Sequence, residues 1–164
     1  MRVLVSVASK HGATAEIGEQ IAEVLAAAGH EVVARAPQDV ADLEGIDAVV
    51  LGSAVYVGRW MAPARELVER LGADLARRPV WLFSSGPVGD PPRPTEEPAD
   101  GAAAVEVTGA LEHKVFAGRI ERTRLAFGER TIVRTLHIPD GDFRDRDEIA
   151  DWARSVARRL DTPA

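Results

Sequence analysis

Val3-Leu4-Val5-Ser6-Val7-Ala8-Ser9-Lys10-His11-Gly12-Ala13-Thr14 passes from an apolar, β-branched run through a small hydroxyl-rich turn into a helical pattern, with no spacer. That order of strand, short loop and helix builds an anion site. Loop N–H groups and the unpaired N–H groups of the first helical turn point into one small volume, and the helix dipole adds partial positive charge there. Ser9 and Thr14 supply hydroxyls, Gly12 lets the backbone approach a ligand closely, and a protonated His11 can pair with an anion. Ser9, Lys10, His11, Gly12, Ala13 and Thr14 are therefore the expected cradle for a monophosphate. The loop has neither the Gly-rich dinucleotide fingerprint nor the Gly-Lys-Ser/Thr ending of a nucleotide-triphosphatase loop.

The 164 residues suit one domain, 1–164, with a real core, and nearly half of them are apolar. There is no Cys, so disulfides, thiol redox chemistry and thiolate metal sites are excluded. Electron transfer by this chain would need a bound cofactor. A net charge of −6 argues against general nucleic-acid binding. No apolar run approaches the roughly 20 residues of a membrane span, and the chain enters its first strand without a basic, apolar leader. A soluble cytoplasmic protein is expected.

The helix after the loop is predicted over Thr14–Ala28, with Ile17, Ile21, Val24, Leu25 and Ala28 on one face and Gly29 as its stop. Glu31–Arg35 reads as a second strand, Val40–Leu43 as a helical turn, and Ala48–Gly52 as a third strand, apolar throughout. A helix over Ala62–Leu71, with Pro63 in its first turn, precedes a fourth strand at Pro79–Ser84 and a fifth at Lys114–Gly118. Helical patterns over Arg122–Leu136 and Arg146–Leu160 close the chain, the last with Asp145 and Glu148 spaced as a capping box. Strands alternating with helices predict a parallel α/β sheet in the doubly wound order 2-1-3-4-5. Ligands of such a sheet sit at the carboxyl ends of strands one, three and four.

Two more loops are selected by that rule. Gly52-Ser53-Ala54-Val55-Tyr56-Val57-Gly58-Arg59-Trp60 follows strand three, and Ser84-Ser85-Gly86-Pro87-Val88-Gly89-Asp90 follows strand four. Small residues bring backbone donors and acceptors to the rim of a flat heteroaromatic ring, and an aromatic side chain stacks on its face. Ser53, Ala54, Val55, Tyr56, Val57, Gly58 and Trp60, with Ser84, Ser85, Gly86, Pro87, Val88 and Gly89, are the expected ring-binding residues. Packing of Tyr56 and Trp60 onto the next helix is the competing reading. Trp81 and Trp152 lie on apolar faces and read as core. His30, His113 and His137 show no ligand spacing, so no metal site is expected.

The spacing Ser-x-x-Gly-x-Thr after a first strand resembles the phosphate loop of flavodoxins, with His11 where that family usually carries Thr. The resemblance implies a flavodoxin-like three-layer sandwich, FMN as cofactor, its phosphate on Ser9–Thr14 and its isoalloxazine ring between the two later loops. A narrower similarity, over Ser9–Thr14, Gly52–Trp60, Ser84–Asp90, Val115–Ile120 and Gly141–Asp145, is to the short flavodoxin-domain proteins that include menaquinone-dependent protoporphyrinogen oxidase. Within it Phe116-Ala117-Gly118-Arg119 and Asp142-Phe143-Arg144-Asp145 are the more specific stretches. This group implies an FMN oxidoreductase, protoporphyrinogen-oxidase-like or quinone-linked, with a small molecule or quinone as electron acceptor. Arg59 is the candidate for tuning the flavin, by supporting its reduced anion or an acidic substrate.

The alternatives are an electron-transfer flavodoxin that docks with a redox partner protein, and a non-enzymatic domain holding another phosphate ligand. A phosphorelay receiver is discounted, because strands one and three end in Ala8-Ser9 and Gly52-Ser53 rather than clustered Asp. Pro87–Pro98, with five prolines in twelve residues, reads as an irregular acidic insertion, either a surface connection or a recognition loop. The Arg-rich pattern over Arg122–Leu136 reads as an amphipathic surface helix, and any membrane contact there is expected to be peripheral. The sequence leaves the oligomeric state open.

Overall fold

The computed structural model describes residues 1–86, 98–120, 141–142 and 144–162. The main sheet contains β1 (Arg2–Ala8), β2 (Glu31–Ala34), β3 (Ala48–Tyr56), β5 (Val80–Ser85) and β6 (Glu112–Phe116). These five strands are parallel and run in the order β2-β1-β3-β5-β6, which is the predicted 2-1-3-4-5 when only sheet strands are counted. β4 (Arg59–Trp60) pairs antiparallel with the end of β3, and a separate two-stranded ribbon joins β7 (Arg119–Ile120) to β8 (Gly141–Asp142).

Helices cover both faces. α1 (Ala13–Ala27) and α4 (Arg146–Asp161) pack over Val3, Val5, Val50, Trp81, Phe83 and Phe116. α2 (Ala62–Leu75) and α3 (Ala99–Thr108) pack over Leu4, Val49, Leu51, Val80 and Leu82. Alternate residues of one strand thus serve opposite cores, which is why the central strands are apolar without interruption. Trp81 and Trp152 are buried, as expected of core residues. A single helical turn does follow β2, but at Pro37–Asp39 rather than Val40–Leu43, because Pro37 favours its first position.

Two boundaries differ from expectation in ways that matter for the site. β3 does not stop at Gly52 but continues to Tyr56 and turns back through Val57 and Gly58 into β4. The residues expected to be one long loop are therefore mostly a hairpin, its central φ values of 50° and 73° both positive, as a two-residue hairpin turn requires. α3, an Ala-rich helix ended by Gly109 in the left-handed region, was not expected from the sequence. The predicted helix at Arg122–Leu136 and most of the Pro87–Pro98 insertion lie outside the described residues. Asp145 caps α4 by accepting from the N–H groups of Asp147 and Glu148, both at 3.0 Å. Glu148 does not complete the box; its carboxylate meets Lys114 Nζ at 2.8 Å.

Candidate functional site

The register places three strand ends side by side. Ala8 is level with Ser53, Ser53 with Ser84, and Ala54 with Ser85. The loops singled out in the sequence therefore leave one edge of the sheet together.

The first loop is shaped by Gly12, whose φ of 88° belongs to the left-handed region and whose N–H donates to Ser9 Oγ at 3.2 Å. No side chain caps α1, in contrast to α4. The Glu16 N–H makes the first bond of the helix, to the Gly12 carbonyl at 3.0 Å, and the N–H groups of Ala13, Thr14 and Ala15 before it have no acceptor within the helix, the arrangement that receives an anion. Thr14, in this first turn, is buried, and Lys10, in the loop before it, is exposed. The His11 ring meets the Tyr56 ring edge to face, with centroids 6.3 Å apart, so the first loop touches the second.

The second loop divides into a rim and a support. Tyr56 and Val55 are half-buried, and Val57 at the hairpin tip is 69% exposed. A β-branched residue at positive φ is strained. Ser53 is fully buried; its hydroxyl donates to the Ala54 carbonyl at 2.8 Å and accepts from the Met61 N–H at 2.9 Å, so it holds the hairpin base. Trp60 is 2% exposed and belongs to the core between the sheet and α2. Its Nε1–H donates to Ser84 Oγ at 2.8 Å, and the same oxygen lies 2.7 Å from His113 Nε2. The structure thus puts Trp60 and Ser84 beneath the edge as supports, and of the two aromatic residues expected at the ring only Tyr56 lies at the edge.

The third loop begins at Ser85 and Gly86. The Gly86 N–H donates to the Phe116 carbonyl at 3.0 Å. A Cβ on Gly118 would lie 3.2 Å from the Gly86 nitrogen, so Gly118 permits this close approach. The Phe116-Ala117-Gly118 stretch is in this way the floor of the third loop. Pro87, Val88 and Gly89 lie outside the described residues.

Arg59 does not stand alone at the edge. Its Nε donates to Asp100 Oδ2 at 3.0 Å, and the Trp60 N–H donates to the same oxygen at 2.9 Å. Asp100, at the start of α3, ties down β4, and its carboxylate shares the Arg59 charge. Burial works against the ionised carboxylate, but the Arg59 and Trp60 hydrogen bonds and the Arg59 and Arg65 charges prevail and hold its pKa below the ordinary value. The unfolded chain consequently binds a proton at higher pH than the folded one. The resulting stability is fully present above about pH 4, the ordinary carboxylate value, and is lost as pH falls through the lower folded value. Urea unfolding measured across this acid range is expected to show a weaker pH dependence for Asp100→Asn than for the wild-type chain.

Sequence reasoning did not single out Arg144 within its motif, and did not see Asp100 or the support role of His113. Arg144 Nε and Nη2 donate to the two oxygens of Asp142, at 2.9 and 2.7 Å, while Nη1 donates to the Ala13 carbonyl at 3.1 Å and to Glu16. The Asp142 bonds outweigh the burial of the guanidinium and, with Glu16, raise its pKa above the ordinary value. Among the described residues no cluster of His, Asp or Glu could hold a metal ion, and no helix is long and apolar enough to cross a membrane.

Comparison with known proteins agrees with this fold. Flavodoxin 2 of Bacillus cereus, in its oxidised form, superposes with a TM-score of 0.66 at 21% identity, over 99% of this chain and 100% of that one. A point mutant of the Pseudomonas aeruginosa flavodoxin gives 0.64 at 14% identity, over 99% and 100%. An archaeal flavodoxin gives 0.58 at 17% identity, over 94% and 99%. No curated protein sequence matches the chain. A family model described as the flavodoxin domain matches residues 4–147. Because that match runs from within β1 to the start of α4 and takes in every other strand, the chain belongs to the flavodoxin domain family.

Proposed function

We propose that the chain binds FMN at the carboxyl edge of its sheet and serves as an electron-transfer protein. The observation that carries this reading is the convergence of the ends of β1, β3 and β5 on one edge, with an uncapped α1 N-terminus at one end of it. The residues present suit the cofactor. Ser9–Thr14 would hold the phosphate through N–H groups and hydroxyls. Tyr56, Val57 and Gly58 on one side, with Ser85 and Gly86 on the other, would flank the ring. Bound FMN supplies reversible electron uptake. The chain's own part is to orient the ring, expose its edge at the hairpin tip and set its electrostatic surroundings. With Arg59 paired to Asp100, the edge offers a neutralised cation rather than a free one. The family, and an oxidised form of a similar flavodoxin, support a redox role and leave the partner, a protein or a small molecule, to be found.

A second reading, a substrate oxidoreductase of the protoporphyrinogen-oxidase-like or quinone-linked kind, is favoured by one observation. The two stretches that carry the narrower resemblance meet where β7 pairs with β8, outside the main sheet, with Arg119, the last residue of one, opposite Asp142, the first of the other.

Incubation with FMN, desalting and potentiometric titration test both readings. Retained flavin with two separated one-electron steps is expected of a carrier. One two-electron wave would move the assignment to the second reading, and loss of all flavin on desalting would refute both.

A further inference from the structure

We propose that Arg144 is a positioning residue for the phosphate, masking Glu16 and pinning the first turn of α1 so that this turn can accept a dianion. The inference rests on the FMN reading above. Glu16 lies in the first turn of α1. A carboxylate there stabilises the bare helix through the dipole, but it opposes a second anion at the same turn. Arg144 answers that charge. Its side chain is 4% exposed, and one guanidinium nitrogen donates both to Glu16 and to the Ala13 carbonyl, so the cation is held against the cradle itself.

The other side of the fork is fixed by Asp142, whose two oxygens take Nε and Nη2. A planar, bidentate pair of this kind sets the guanidinium orientation, which a Lys ammonium would not. Asp142 belongs to β8, and Arg144 leads into α4 beside the Gln20 Nε2 to Arg146 carbonyl bond of 2.6 Å. Residues 142–146, more than 120 positions away in sequence, thus bear on the turn that meets the ligand. A purely structural link between β8 and α1 would not need the cation placed against the one acidic residue of that turn.

The test is fluorescence titration of the full chain with FMN and with riboflavin, which lacks the phosphate. Arg144→Met is expected to weaken FMN binding about tenfold or more while riboflavin binding is unchanged. Glu16→Gln, which removes the charge of a partly exposed side chain and leaves Arg144 its Asp142 and Ala13 bonds, is expected to tighten FMN binding several-fold, again with riboflavin unchanged, and the gain is expected to shrink as salt is raised. Equal losses for both flavins in Arg144→Met would reduce Arg144 to a part of the fold and overturn the proposal. So would a Glu16→Gln chain whose FMN affinity is unchanged or weaker, and that variant decides the matter alone if Arg144→Met fails to fold. A wild-type chain that takes up neither flavin overturns the FMN reading and this inference together.

Discussion

Ser9→Asp is expected to stabilise the flavin-free chain and to abolish most of its affinity for FMN, two effects of opposite sign from one substitution. Ser9 Oγ accepts the Gly12 N–H at the mouth of α1, which has no side-chain cap. A carboxylate in that position keeps the bond and meets the positive end of the helix dipole, a gain of about 0.3–1 kcal/mol. In a chain of this size that corresponds to about 1–4 °C in Tm. The same charge stands where a phosphate dianion would bind. At a few ångströms and an effective dielectric near 20, like charges repel by about 4 kcal/mol, enough to lower affinity about a hundredfold or more. Riboflavin affinity is expected to stay nearly constant, and Ser9→Asn, neutral and similar in shape, should retain FMN. Calorimetry of the flavin-free chain and parallel flavin titrations measure both halves. A stabilised variant that still binds FMN at wild-type strength would place the phosphate elsewhere.

Gly52→Ala is expected to carry the largest stability cost of any single added methyl group in the main sheet. A Cβ at Gly52 would lie 2.1 Å from Cζ of Phe83. That ring cannot simply move aside, because Phe116 and Trp152 pack against it edge to face, with centroids at 5.8 and 6.2 Å. Overpacking of this kind costs about 3 kcal/mol at the upper end of its usual range, or about 6–12 °C in Tm here. The loss should appear in urea and thermal unfolding, and Phe83→Leu in the same chain should restore part of it by vacating the space. A Gly52→Ala chain as stable as the wild type would mean that the ring is free to shift. Because Gly52 lies one residue before Ser53, the same strain should also loosen the hairpin base.

Gly52 also shows where the sequence could and could not be read. The apolar run Ala48–Leu51 was legible as a strand, and the five-strand order followed from strand and helix alternation. Gly52 and Ser53 looked like the start of a loop, because a small residue and a hydroxyl usually mark one. They are strand residues because Phe83 occupies the space above Gly52, and because Ala54 and Met61 satisfy the Ser53 hydroxyl. Such compensation is tertiary and leaves no local pattern. α3 was missed for the opposite reason: Ala99–Thr108 is so rich in Ala that it carries hardly any apolar stripe. Strands as short as β7 and β8 have no periodicity to detect.

The first loop of the candidate site was legible because backbone geometry makes it, and strand–turn–helix order is a local signal. Trp60 was ambiguous, since an aromatic residue in a loop suits a ring face and a core equally well; in the fold it is buried, with its Nε1–H on Ser84. The Arg59 to Asp100 and Arg144 to Glu16 pairs span 41 and 128 residues of chain, and one sequence gives no means of matching such partners.

Amide NMR shifts on adding FMN, compared with those on adding riboflavin, test most directly whether the three strand ends form a single flavin site. FMN is predicted to shift the amides of Gly12–Ala15 together with those of Tyr56–Gly58 and Ser85–Gly86, whereas riboflavin should shift the last two groups and leave Gly12–Ala15 nearly unmoved. Shifts confined to other parts of the chain, or no shifts with either flavin, would contradict it.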